Sequence, residues 1–389
     1  MDDNLLIGQI QSIPGIMHSS LPELDQALRA AFDPDFARSL ERIFVCGCGD
    51  SHHAALTSEL AFGTLAGIPT QAMTSMQFAR YTAQNLLGEQ GGSNLVIGIS
   101  VSGEVARTIE ALQLGRAAGA STIALTASPA SRLAGAAQST LHIPTSALPI
   151  PSDLPIPGIV TYILNQLVLF LLGIKLGESR AVLTPDQASV YRDKQYDLAD
   201  TAERTIQNCE KISRTMAESW LDENEYVFTG SGPNFATALF SAAKLLEASG
   251  DFALGQDLEE WAHLQYFARN PATPTFVISA GQRDLSRAVE IIQAARGIGR
   301  RVAAVTPRNV VDMSGGAEFW LPVPGDIPEI FSSLIYCLPG ALFAAYRAEL
   351  LGEPYFRAFG GGRNPEQGGG LSRIQTSRML EDFDPLTEP

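Results

Sequence analysis

Short apolar runs rich in β-branched residues alternate along the chain with stretches that carry Ala and Leu at helical spacing. Four runs in the first half predict buried parallel strands: RIFVCG (42–47), NLVIGIS (94–100), STIALTA (121–127) and LHIPT (141–145). The intervening segments 53–66 and 105–118 predict helices. This alternation indicates βαβ units, so we predict an α/β fold with a parallel sheet that has helices on both faces.

The same pattern then occurs a second time. The stretch EYVFTGSGPNFATALFSAAKLLE (225–247) resembles RIFVCGCGDSHHAALTSELAF (42–62), since each has an apolar strand, a Gly-x-Gly turn and an Ala/Leu helix. Three later runs take the places of the later strands of the first half: TFVISAGQRDLSRAVEII (275–292), RRVAAVT (300–306) and AEFWLPV (317–323). We therefore predict an internal duplication with an offset of about 183 residues, from Gly47 to Gly230.

The segments around the two copies set the predicted domain boundaries. The polar stretch 185–222 is rich in Asp, Glu, Arg and Gln and permits a helix, whereas the chain after Gly352 is rich in Gly and Pro. We predict an N-terminal segment (1–23), a first domain (24–180), a linker helix (181–222), a second domain (223–352) and a C-terminal arm (353–389). The most apolar segment, 159–176, contains Asn165 and Gln166, so we predict a buried core helix rather than a membrane span.

Composition narrows the classes of function. The 389 residues are 45% hydrophobic and 18% charged, which suits two globular domains. A net charge of −15 argues against a nucleic-acid partner, although one pocket can still be locally positive for a small phosphorylated ligand. The four cysteines are too scattered for a disulfide scaffold. The acidic start is followed by no long apolar segment, so we expect a cytoplasmic protein without a secretory signal.

Two strand-to-helix loops are candidates for anion binding. Gly47-x-Gly49, followed by Asp50 and Ser51, would aim backbone N–H groups at one spot, where the helix dipole favours negative charge. Gly-x-Gly alone is a weak signal, because many such turns need glycine for steric reasons. The second loop, SVSGE (100–104), could cap the following helix, hold an anion at the carboxyl edge of the sheet, or do both.

The stretches CGDSHHAA (48–55) and SVSGEVARTIEAL (100–112) resemble the two signature loops of the sugar isomerase (SIS) domain, Cys-Gly-Thr-Ser and Ser-Gln-Ser-Gly-Glu-Thr. The duplicated arrangement resembles the isomerase half of glucosamine-6-phosphate synthase and related isomerases, deaminases and deglycases. The resemblance runs from about residue 24 to the tail. It implies two flavodoxin-like domains, usually dimerised, and no metal or redox cofactor. It also implies a phosphate site made of Gly49, Asp50, Ser51, Ser100, Val101, Ser102, Gly103 and Val105. Val101 and Val105 stand where the synthases have Gln and Thr.

Acid–base candidates lie in the second copy. Lys244 and Glu247 are three residues apart and share a helix face, which a surface salt bridge would explain equally well. The resemblance favours chemistry, because the synthases carry Leu-Lys-x-x-Glu-x-Ser at this place. It implies that Glu247 moves a proton between C1 and C2 of an open-chain sugar, with Lys244 as its electrostatic partner. It also implies that His263 opens the sugar ring and is lent by the other subunit of a homodimer.

The tail departs from the family pattern. GGGLSRIQTSRML (368–380) resembles the C-terminal arm that folds over the sugar, which typically reads Leu-Ser-Lys-Val-Thr. Arg373 replaces the lysine that forms a Schiff base in the synthases, and arginine cannot do so. No lysine follows Lys244, so none can replace that Schiff-base lysine. The glutaminase domain of the synthases is missing and Met1-Asp2 offers no N-terminal cysteine, so we expect no glutamine-dependent amide transfer. Arg373 could instead clamp an anion or polarise a carbonyl oxygen.

These observations predict a phosphosugar isomerase that acts by proton transfer between C1 and C2. A close alternative is an amino-sugar-phosphate deaminase or fructosamine-phosphate deglycase. A non-catalytic sugar-phosphate sensor is the alternative from another class. In the second copy, Pro233 and Asn234 replace Asp50 and Ser51, so we predict that loop 230–234 is a structural remnant.

Overall fold

The computed structural model describes residues 4–30, 34–86, 93–145, 155–310, 316–364 and 373–380. They form two compact units. The first unit comprises the described residues within 19–147, 161–193 and 362–389, and the second unit those within 1–18, 148–160 and 194–361.

Helices and strands alternate through both halves of the chain. The first half contains α1 (Leu5–Ala30), α2 (Pro34–Ser39), β1 (Arg42–Gly47), α3 (Asp50–Ala66), β2 (Thr70–Thr74), α4 (Ser75–Tyr81), β3 (Asn94–Ile99), α5 (Ala106–Ala117), β4 (Ser121–Thr126), α6 (Arg132–Ala136), β5 (Ser139–His142) and α7 (Val160–Ser179). The second half contains α8 (Pro185–Ser219), β6 (Glu225–Gly230), α9 (Pro233–Ala248), β7 (Phe252–Asp257), α10 (Leu258–His263), β8 (Thr275–Ile278), α11 (Leu285–Gly297), β9 (Val302–Pro307), β10 (Phe319–Val323), α12 (Ser333–Tyr336) and α13 (Leu338–Leu351).

The first unit contains a five-stranded parallel sheet in the order β2-β1-β3-β4-β5. Strands β1, β3 and β4 are buried along nearly their whole length, which explains their continuous apolar runs. The edge strands β2 and β5 carry exposed positions instead. This order is flavodoxin-like, and it changes direction between β1 and β3, where the strands' carboxyl ends form a crevice suited to ligands.

The second unit repeats this architecture. Its five-stranded parallel sheet has the order β10-β9-β8-β6-β7, which is the order of the first sheet when read from β7. The predicted tandem of two flavodoxin-like domains is therefore confirmed.

Two apolar stretches are long enough to cross a membrane, Val160–Ser179 and Ser333–Leu351. In each, more than four-fifths of the apolar window is buried inside the protein. The first includes nearly all of segment 159–176, and both Asn165 and Gln166 within it are buried. These stretches have the burial of core helices, as predicted for 159–176.

Helix α1 was not predicted, since the N-terminal residues 1–23 were assigned only as a segment. Pro14, Gly8 and Gly15 lower helix propensity there and hide the pattern. The signal that could have revealed the helix is the spacing of its buried apolar residues: Leu6, Ile10, Ile13, Met17, Leu21, Leu24 and Leu28.

Candidate functional site

The two candidate loops of the first unit leave neighbouring strands at the same edge of the sheet. β1 and β3 pair in parallel, with Arg42 opposite Asn94 and Cys46 opposite Gly98. The loop after β1 leads into α3, and the loop after β3 leads into α5. Both loops therefore lie at the carboxyl edge beside the point where the strand order reverses.

The first loop forms a tight entry into α3. A Cβ on Gly47 would lie 2.5 Å from the backbone carbon of Ser51, so only glycine lets the chain turn this closely. Gly49 is the N-cap, and its carbonyl accepts the N–H groups of His52 and His53. Asp50 and Ser51 thereby stand in the first helical turn, and both are partly exposed.

The second loop, Ser100–Val105, is built largely from its own serines. Ser100 is buried, its N–H donates to the Leu125 carbonyl at 3.0 Å, and its Oγ accepts the Gly103 N–H at 3.1 Å. Ser102 is exposed, and its Oγ accepts the Glu104 N–H at 3.3 Å. The N-cap of α5 is Val105, so Ser102 shapes the loop before the helix rather than capping the helix itself.

An ion pair fixes the end of the second loop. Arg132 donates from Nε to Glu104 Oε2 at 2.6 Å, and its backbone N–H donates to Glu104 Oε1 at 3.1 Å. The hydrogen bond from the Arg132 side chain lowers the pKa of Glu104. We call the assembly of loops 47–51 and 100–105 the serine cup.

The first turn of α3 also holds a half-buried imidazole, that of His52. Burial, with His53 as a second cause, lowers the pKa of His52 to about 4. His52 is therefore neutral near pH 7 and adds no positive charge to the cup. The neighbouring His53 Nδ1 lies 3.6 Å from Asp50 Oδ1.

We expect His52 to make stability depend on pH. An unfolded histidine titrates near 6.5 and folded His52 near 4, so the unfolded state binds more protons between these values. Stability is thus lost as pH falls from about 6.5 towards 4, and His52→Gln should reduce that loss by about 2 kcal/mol. Urea unfolding at pH 7 and 4.5 measures the difference. Exposed His142→Gln is the control, and equal losses in wild type and His52→Gln would contradict the assignment.

In the second unit, α9 brings Lys244 and Glu247 together. Lys244 is fully buried, whereas 29% of the Glu247 side chain is exposed. Lys244 Nζ donates to Glu247 Oε2 and to the Gly158 carbonyl, and lies 5.1 Å from the centroid of the Phe240 ring. Lys244 and Glu247 therefore do not form the solvated surface salt bridge that was the alternative in the sequence analysis. It is an accessible carboxylate with a buried cation beside it.

The end of α9 is held by Asp251, Arg347 and Arg357, which the sequence did not single out. Ser249 Oγ donates to Asp251 Oδ2 at 2.7 Å, and buried Arg347 donates to the same oxygen at 2.9 Å. Arg357 donates to the Ser249 carbonyl at 2.5 Å and to the Ala248 carbonyl at 2.9 Å. Arg347 and Arg357 lie about a hundred positions from the residues they bind, so no local pattern could reveal these two contacts.

The remaining predicted residues lie elsewhere. His263 ends α10, its side chain is 65% exposed, and its Nε2 lies 3.2 Å from Glu259 Oε1. Arg373 belongs to the first unit, and its carbonyl accepts the N–H groups of Thr376 and Ser377. The structure thus groups the cup residues and Arg373 in the first unit, and Lys244, Glu247 and His263 in the second.

The second unit has a counterpart of the serine cup with different chemistry. Gly232 has the same backbone angles as Gly49, φ 55° and ψ −130°. Ser279 matches Ser100, but its Oγ donates to Asp284 at 2.7 Å, and Asp284 stands at the start of α11. Burial raises the pKa of Asp284, as do the nearby carboxylates of Glu329 and Asp257. An acidic lining of this kind disfavours phosphate.

Within the described ranges, no three His, Cys, Asp or Glu side chains are grouped so as to hold a metal ion. Burial raises the pKa of the Cys46, Cys209 and Cys337 thiols.

Comparisons with known proteins agree with the fold. Residues 37–172 match the SIS domain family. The chain is 26% identical over 349 residues to a protein of Gloeobacter violaceus and 26% identical over 312 residues to one of Thermococcus kodakarensis, both named glutamine–fructose-6-phosphate aminotransferase (isomerizing). These matches cover 89% and 80% of this chain and 56% and 50% of the relatives. The chain thus spans about half the length of the curated relatives it matches.

Two solved structures show the same fold at low sequence identity. The C-terminal domain of glucosamine-fructose-6-phosphate aminotransferase from Francisella tularensis has a TM-score of 0.79 and 16% identity, with 90% of this chain and 96% of that chain covered. Glucosamine-6-phosphate deaminase from Thermotoga maritima has a TM-score of 0.62 and 19% identity, with 88% and 96% covered.

Proposed function

We propose that this chain, of which residues 37–172 match the SIS domain family, binds a phosphorylated sugar or amino sugar and transfers a proton between C1 and C2. The observation that carries this proposal is the pair formed by Lys244 and Glu247. Glu247 reaches solvent while a buried ammonium group holds its carboxylate in place. An accessible, fixed carboxylate is the group that aldose–ketose isomerisation requires as acid and base.

The serine cup is the proposed phosphate site. The Ser102 hydroxyl is exposed at the mouth of the second loop, and Ser51 stands in the first turn of α3, where the helix dipole favours an anion. Val101 and Val105 offer no side-chain hydrogen bonds, so backbone N–H groups and the two serines would do more of the binding.

Arg373 and His263 complete the proposal. A guanidinium at position 373 would polarise the sugar carbonyl or clamp an anion without forming a covalent intermediate. His263 is largely exposed and pairs with Glu259 rather than with Glu247. We therefore propose that it serves the site of a second copy of the chain in a homodimer.

The test is a panel assay with fructose, glucosamine and tagatose 6-phosphates that measures both isomer formation and ammonia release. We expect turnover with at least one sugar, and Ser102→Ala should raise its KM about tenfold with little change in kcat. Ser279→Ala, which changes a serine of the corresponding loop in the second unit, should leave KM unchanged.

Ammonia release would identify a deaminase or deglycase instead of a pure isomerase. Tight binding of a sugar phosphate without turnover would replace the enzyme with a sensor. A KM that responds equally to Ser102→Ala and Ser279→Ala would remove the serine cup as the phosphate site.

A further inference from the structure

Three arginines of the first unit bind the backbone of the C-terminal segment 373–380. Arg132 Nη2 donates to the Gln375 carbonyl at 2.7 Å. Arg107 donates to Ser377 Oγ at 3.2 Å and to the Arg378 carbonyl. Arg80 donates to the same Arg378 carbonyl at 3.2 Å. We call Arg80, Arg107 and Arg132 the arginine clamp.

A buried carboxylate of the same unit holds two of the three clamp arginines in place. Glu110 is fully buried, and its two oxygens accept from Arg80 and Arg107. Glu110 Oε1 also accepts the N–H of Leu380 at 2.5 Å. Hydrogen bonds from guanidinium groups to a buried carboxylate are strong. Without them, the negative charge of Glu110 would be buried with no positive partner.

The clamp fixes the segment at the mouth of the serine cup. The carbonyl of Ile374 accepts the N–H of Ala106 at 2.8 Å, and Ala106 is the first residue of α5, directly after the cup loop. Arg373 precedes Ile374 and begins a tight turn, with a φ of +39° and its carbonyl bound by two later N–H groups. The backbone of Arg373 is therefore held next to the loop that carries Ser102.

We propose that Arg80, Arg107, Arg132 and Glu110 are positioning residues, which hold the arm on α5 so that Arg373 stands beside the serine cup. The guanidinium groups bind main-chain carbonyls, so they fix the path of the backbone of segment 373–380. Met379 adds apolar packing against the core near α5, but a single side chain would not set the position of residue 373. The catalytic part of this inference rests on the proposed function, whereas the anchoring part does not.

Limited digestion with trypsin tests the anchoring, because trypsin cleaves after arginine and a fixed backbone resists it. We expect Arg107→Gln and Arg132→Gln each to speed cleavage after Arg373 by about tenfold or more. Arg116 is an exposed arginine on α5, the helix that carries Arg107. The Arg116→Gln protein should be cleaved after Arg373 at the wild-type rate. A wild-type rate in both clamp variants would overturn the clamp.

A double-mutant cycle tests the positioning. Arg107→Gln should lower kcat about tenfold with a smaller change in KM, and it should have no further effect in an Arg373→Gln background. An equal loss of kcat in both backgrounds would show that the clamp acts on general stability and would overturn the positioning role. If the wild-type protein turns over no sugar phosphate, the proposed function fails, and the cleavage rates still decide whether the clamp holds Arg373 in place.

Discussion

Replacing Glu247 with glutamine is expected to lower kcat by about a thousandfold while substrate still binds. Glutamine keeps the size of the side chain and an oxygen that can accept from Lys244 Nζ, so the fold around α9 should persist. It cannot take up and return a proton at neutral pH. Steady-state kinetics and calorimetry with the best substrate of the panel measure the two effects. Glu260→Gln, an exposed carboxylate on α10, is the control.

Mixing variants extends this prediction to the dimer. If Glu247 and His263 of one site come from different subunits, Glu247→Gln and His263→Asn proteins should each be nearly inactive alone. After exchange of subunits, half of the dimers are mixed and each has one intact site, so about a quarter of wild-type activity should return. Activity that stays at the level of the separate variants would place both residues of a site in one chain, and unchanged kcat in Glu247→Gln would remove the proton shuttle.

Replacing Gly103 with alanine is expected to destabilise the first unit by about 3 kcal/mol. Gly103 has a φ of +69°, and an added Cβ would lie 2.0 Å from Ser131 Oγ and 2.3 Å from Ser131 Cβ. The glycine cannot move aside, because its N–H donates to Ser100 and its carbonyl accepts from Leu133 at 2.9 Å. Urea unfolding measures the loss, and KM should rise because the cup loop is displaced.

Two further variants separate the causes of that loss. Gly135→Ala, where an added Cβ has no heavy atom of the described chain within 4 Å, should be neutral or slightly stabilising. Ser131→Gly added to Gly103→Ala should recover the part of the loss due to the clash and leave the strain of the left-handed backbone. A single Gly103→Ala protein as stable as wild type would contradict the geometry of the loop.

The buried strands were the most predictable part of the fold. β1, β3 and β4 lie inside the sheet with both faces covered, so their apolar runs are unbroken and easily read. The position of the serine cup followed from the same patterns, because parallel strands bring their carboxyl ends to one edge. The family resemblance supplied the chemistry that spacing alone left open.

Other features could not be derived from local patterns. A lysine and a glutamate three residues apart look the same on a solvated helix and on a buried one, so the burial of Lys244 needed the tertiary structure. The arginine clamp joins Arg107 to residues about 270 positions later in the chain. Helix α1 was missed because Pro14 and two glycines obscured its apolar spacing.

The carboxylate of Asp284 makes the two copies differ in how their corresponding loops are stabilised. In the second unit, Ser279 donates to an oxygen that is covalently part of the chain, so that loop carries its own hydrogen-bond acceptor. A tethered group is always present at high effective concentration, and its contribution to stability needs nothing from solution. In the serine cup of the first unit, Val105 stands at the position of Asp284 and has no carboxylate. A dissolved anion would have to provide the negatively charged oxygen there. If sugar phosphate binds the serine cup as proposed, only that copy gains stability as the sugar phosphate accumulates, and the amount of folded protein would then depend on the supply of this ligand.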